Sequence, residues 1–140
     1  MGMLTVALSL AVASNVLYHL SQKSVPEGVH PMLSLTVTYV AALVVTLLLW
    51  PLYPAAASGP PSLSRVNWSS VAVGVAIVGV ELGVLLAYRA GLRVSLGATL
   101  INVTVALVLI PVGLLFFREN LSLTNVAGLG LCLAGLWLLL

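Results

Sequence analysis

Glu81 stands in the run AIVGVELGVLLAYRAG (Ala76–Gly91), with no basic residue nearer than Arg89. Bringing a carboxyl group into a bilayer at such a place costs on the order of 3 kcal/mol. The group can be neutral in the apolar phase and charged when water or a cation reaches it, which makes it a candidate proton carrier and cation anchor. The other reading is a neutral, structural Glu81 holding a hydrogen bond to a neighbouring helix. A glutamine would make that bond without titrating. Two further polar sets fall at comparable depth. Asn15 shares a helical face with Ala11, Tyr18, His19 and Gln22, and Ser95, Thr99 and Asn102 recur at spacings of four and three, continued by Ala106 and Gly113. Either stripe could line an aqueous cavity or act as ordinary interhelical glue. His19 and Gln22 fall near the interface, where a solvated or capping role is expected. The expected site therefore has Glu81 binding proton and substrate in turn, with Asn15, Tyr18, Tyr88, Thr99 and Asn102 lining the cavity.

Catalytic patterns are missing. The chain has no Asp, two His and one Cys. It offers no carboxylate pair, metal-ligand cluster, nucleophile with a positioned base, or phosphate-binding loop. No enzyme activity, cofactor or metal is expected. Cys132, alone, excludes an intrachain disulfide.

The elements that must position these residues follow from composition. The chain is 61% hydrophobic and 6% charged, with a mean hydropathy of +1.23, against about a quarter charged residues in a water-soluble domain. Five basic and three acidic side chains in 140 residues cannot cover a water-facing surface. A net charge of +2 is too small and scattered for a nucleic-acid partner. The chain reads as an all-α integral membrane protein, one domain over residues 1–140, multi-pass in a cell (inner) membrane. Five stretches approach the roughly 20 apolar residues a spanning helix needs: 4–20, 32–53, 70–88, 95–117 and 121–140. The first lacks the basic start of a signal peptide and is expected to be retained. Ser21–Pro31 and the proline-rich Pro51–Trp68 read as connections, Arg89–Arg93 and Arg118–Asn120 as tight turns between antiparallel neighbours.

At about 100° per residue, Gly74, Ile77, Leu85 and Tyr88 share the face of Glu81. Gly79 and Gly83, continued by Ala87 and Gly91, lie opposite as a small-residue row suited to close helix packing. With five spans, Lys23, Arg89 and Arg93 fall on one side of the membrane and Arg65 and Arg118 on the other. Orientation follows the lysine and arginine bias, and three against two leaves single and dual topology both open. No internal repeat is present. An odd number of spans makes the chain read as one half of an inverted-repeat architecture, unduplicated.

The segment GLLFFRENLSLTNVAGLGLCLAGLWLLL (Gly113–Leu140) resembles the end of an EamA-type unit of the drug/metabolite transporter superfamily. Arg118, Glu119, Leu121, Gly128 and Gly135 occupy the matching positions. YRAGLRVSLGATL resembles the same family's link between third and fourth helices, and ASNVLYHLSQKSVPEGVHPMLSL its first hairpin, with Asn15 and Pro31 at recurrent positions. The resemblance covers nearly the whole chain through small and apolar residues. It departs in the first helix, which lacks an early tryptophan, in the second, where Thr36 and Thr38 stand near a usual arginine, and in the fourth, whose proline is displaced to Pro111. The resemblance implies a half of a ten-helix transporter. The related small multidrug resistance family, with a membrane glutamate on its first helix, supplies an analogy of mechanism, since Glu81 is on the third. The expected function is proton-coupled transport of small organic cations or metabolites by an antiparallel homodimer. Half of an obligate heterodimer, a non-transporting membrane subunit, and a lipid or glycolipid flippase are the alternatives.

Overall fold

A computed structural model describes residues 2–53, 63–117 and 122–139. The proline-rich stretch 54–62, the turn residues Arg118, Glu119 and Asn120, and the expected span ends Leu121 and Leu140 lie outside the described residues. Among the described residues five α-helices follow in order: α1 (Gly2–Ser24), α2 (Pro31–Leu49), α3 (Trp68–Arg89), α4 (Val94–Phe116) and α5 (Leu123–Leu139). Among the described residues there is no strand.

The helix limits have local causes. His30 precedes Pro31 at the start of α2, where proline's fixed φ and missing N–H do no harm. The helix continues as a 3-10 turn over Trp50–Leu52. The Asn67 side chain accepts the Ser69 N–H at 3.0 Å and caps α3. Ser122 Oγ accepts the Asn125 N–H at 3.2 Å and does the same for α5. Just past α3, Gly91 has φ +95°, a conformation that favours glycine and lets the turn into α4 be short. Threonines in the apolar helices satisfy themselves: Thr36, Thr38 and Thr46 donate to the carbonyls four residues back, at 2.8, 3.1 and 2.8 Å.

Among the described residues four helices are long and apolar enough to cross a membrane: α1, α2 with its 3-10 extension (Pro31–Leu52), α3 and α4. They make the chain a multi-pass membrane protein. As described, α5 has 17 residues, about 25 Å of helix, and it does not join these four.

The chain divides into two compact units. One comprises Met1–Leu20 with Ala90–Leu140, the other Ser21–Arg89. In the first, α4 packs on α5. Among the described residues no Cα of α1 comes within 8 Å of one in α4, and α4 runs unbroken through Pro111. In the second, α2 packs on α3. The buried apolar side chains of the described residues, Leu35, Val84, Leu85 and Tyr88, all belong to this second unit. Most other apolar side chains point outward, among them Val71, Val73 and Val75 of α3. Such exposure would be a liability in water and is ordinary where the solvent is hydrocarbon.

Candidate functional site

The buried stripe of α3 is Glu81, Val84, Leu85 and Tyr88, the spacing of one helical face. Leu85 is fully buried at 0% exposure. The stripe stops at Glu81, since Ile77, one turn earlier on the same face, is exposed. The carboxyl group thus sits at the margin of the packed region, 9% exposed and about 12 Å along the helix from Arg89.

Its surroundings are polar but neutral. Gln22, in the last turns of α1 and 7% exposed, donates from Nε2 to Glu81 Oε2 at 3.5 Å. That is longer than the usual 2.7–3.2 Å range of N–H···O bonds. The Tyr39 hydroxyl of α2 is buried without a hydrogen-bond partner and lies within electrostatic range of the Glu81 carboxylate. Among the described residues no cationic side chain forms an ion pair with Glu81. An ionised carboxylate offers about four acceptor positions, and here a single long bond serves them. A buried structural charge is ordinarily paired. Glu81 retains capacity for a proton or a cation.

The end of the same unit is tied by two cations. Lys23 Nζ donates to the Tyr88 carbonyl at 3.1 Å and lies 5.8 Å from the centroid of the Tyr88 ring, a cation–π distance. Arg89 Nη2 donates to the carbonyls of Pro26 at 3.1 Å and Val29 at 2.7 Å. The bonds join the end of α1 and the α1–α2 loop to the end of α3, and the Pro26 carbonyl also accepts the Val29 N–H at 3.1 Å.

The asparagines belong to the other unit. Asn15 and His19 of α1 face Ser95 and Asn102 of α4 across a groove of about 490 Å³, whose walls are otherwise apolar, including Leu8, Val12, Val16 and Val94. His19 meets Tyr18 edge-on, ring centroids 5.1 Å apart at 69°. Thr99 donates to the Ser95 carbonyl at 2.9 Å, and neither Thr99 nor Tyr18 lines the groove. Of the expected site residues, Glu81 and Tyr88 belong to the unit Ser21–Arg89, and Asn15, Thr99 and Asn102 to the unit of Met1–Leu20 with Ala90–Leu140.

Gln22 and His19 are buried, which corrects the solvated one of the two roles expected for them, solvated or capping. The spacing held a signal for Gln22, two turns from Asn15 on the same face. Sequence reasoning passed over Tyr39 altogether, because a tyrosine within a run of valines and alanines carries no periodic mark. Gly79 and Gly83 are on the exposed side of α3, and a Cβ at either would find no heavy atom within 4 Å. Nothing among the described residues packs on that row. No group of three or more His, Cys, Asp or Glu side chains among the described residues could hold a metal ion. The sequence matches no family model, no curated protein and no solved structure.

Proposed function

We propose that this chain is the subunit of a proton-coupled secondary transporter in the cell (inner) membrane, exporting small organic cations or amine-bearing metabolites. The observation that carries the reading is Glu81. It is a nearly buried acid inside a spanning helix, with one long bond from a neutral amide and no cationic partner among the described residues. A protonated Glu81 is neutral and tolerated in the apolar phase. A deprotonated Glu81 needs a cation, and the nearby Tyr39 ring suits an organic one. Proton and substrate then compete for the same carboxylate, and competition alone couples their movements. Gln22 orients the group in both states.

The transporting unit in this reading is an antiparallel pair of chains, two copies of a five-helix unit with α5 as the fifth span. Its support is the open Gly79/Gly83 row and the near balance of lysine and arginine between the two sides. The quoted resemblance to EamA-type units points the same way. The experiment is uptake of a panel of monovalent quaternary ammonium ions into liposomes holding this chain alone, under an imposed pH gradient. Gradient-dependent accumulation is expected. Accumulation that requires a second, different chain would replace the homodimer with a heterodimer, and binding without movement would make the chain a non-transporting subunit.

A further inference from the structure

We propose that the α1–α4 groove is a binding site for an uncharged, hydroxyl-bearing amphiphile. The Asn15 and Asn102 amides and the Ser95 hydroxyl border this space, and no partner among the described residues hydrogen-bonds these side chains. Each lies on a helix long and apolar enough to cross a membrane, where the surrounding hydrocarbon cannot satisfy them. Each amide offers two donors and a two-lone-pair acceptor, so the complementary group must both donate and accept. Hydroxyls do so. Among the described residues no Asp or Glu lines the groove, and a cationic head would be desolvated there without a counter-charge.

The order of the lining residues adds the second half of the ligand. Measured along α1 from Ser24, His19 lies about 8 Å in, Asn15 about 14 Å and Leu8 about 24 Å. Along α4 from Val94, Ser95 is at the start and Asn102 about 12 Å in. Polar groups therefore run from the helix ends to mid-depth and give way to the apolar wall of Leu8 and Val12. A head with hydroxyls fits the first stretch, and an acyl chain fits the second. The groove, at about 490 Å³, is within the roughly 300–1,000 Å³ of ordinary ligand sites. Glu81 is not among the residues that line this groove.

The test is photolabelling of the full chain in lipid nanodiscs by a monoacylglycerol carrying a diazirine in its acyl chain, with labelled peptides mapped by mass spectrometry. Saturable labelling of segments 8–20 and 94–102 is expected, displaced by unlabelled monoacylglycerol. The double variant Asn15→Leu/Asn102→Leu should weaken that displacement about tenfold, the loss of two net hydrogen bonds. Asn15→Ser/Asn102→Ser keeps hydroxyls in place and should recover part of it. Glu81→Gln should leave labelling unchanged, so that failure here and failure of the proton–cation reading are distinguishable. Non-saturable labelling, equal labelling by a trimethylammonium-headed analogue, indifference to the leucine pair, or crosslinking of the groove to a second copy in place of the probe would each overturn the proposal.

Discussion

Glu81→Gln separates the carboxyl group's shape from its charge. The amide occupies nearly the same volume, and its Oε1 can still accept the bond that Gln22 Nε2 gives at 3.5 Å. A bond of that length contributes under about 1 kcal/mol, so the variant should purify with its helical content unchanged and nearly the parental thermal midpoint. Transport should change completely. Exchange of one proton for one monovalent cation moves no net charge, so membrane potential drops out and only the pH difference drives accumulation. One pH unit is worth about 1.4 kcal/mol per proton, which at equilibrium is about tenfold concentration of the cation. The assay is the steady internal-to-external ratio of a quaternary ammonium ion in liposomes at a one-unit gradient. The parent chain should approach tenfold and Glu81→Gln should stay at onefold at every gradient. A variant that still concentrates the cation would refute the proton-carrier role and leave Glu81 as a structural acid.

Other outcomes follow from the packing and the charges. Arg89→Gln removes two carbonyl contacts, one part-buried and one exposed, and should lower stability by about 1–3 kcal/mol, with faster amide exchange across residues 25–30. Leu85→Ala, at the one fully buried large side chain among the described residues, should cost about 2–4 kcal/mol. Val73→Ala, 57% exposed, should stay within about 0.5 kcal/mol in the same thermal melts. A Cβ at Gly83 meets no atom of the described residues within 4 Å, so in Gly83→Leu the monomer should fold while crosslinked dimer disappears. Persistence of that dimer would remove the glycine row from the interface. A C-terminal reporter should appear on both faces of the membrane, and two lysines added between Pro51 and Trp68 should confine it to one. A reporter on one face in the parent chain would end the dual-topology reading.

The spans were legible because apolar length is a one-dimensional property. Residues 70–88 and 95–117 differ from α3 and α4 by at most two residues at either end. The first span was read short, ending at 20 where α1 reaches Ser24, since Gln22 and Lys23 look like loop residues until their partners on α3 are known. Faces were legible too: Leu85 and Tyr88 share the side of Glu81 as spacing required. What spacing lacks is the identity of the helix opposite. Equal depth suggested that Asn15 and Asn102 surround Glu81; within their own unit these asparagines line a groove with Ser95 and His19. Tyr39 came near Glu81 by the same route that hid it, through α2 packing on α3.

The contacts of Lys23 and Arg89 bear on when the molecule chooses its direction. Both cations are counted by the rule that orients a nascent chain, yet in the folded protein their donors are turned onto the carbonyls of Tyr88, Pro26 and Val29. The charge available to anionic lipid during insertion is thereby partly withdrawn once the α1–α2 loop docks on the end of α3. On the dual-topology reading, the hairpin before docking is undecided and responsive to added lysines. After docking, reversal would require Arg89 to release two carbonyls and carry an uncompensated charge through hydrocarbon. Orientation becomes a history recorded at synthesis, and a mixed population would persist as two non-interconverting forms whose ratio no later change in salt or lipid resets.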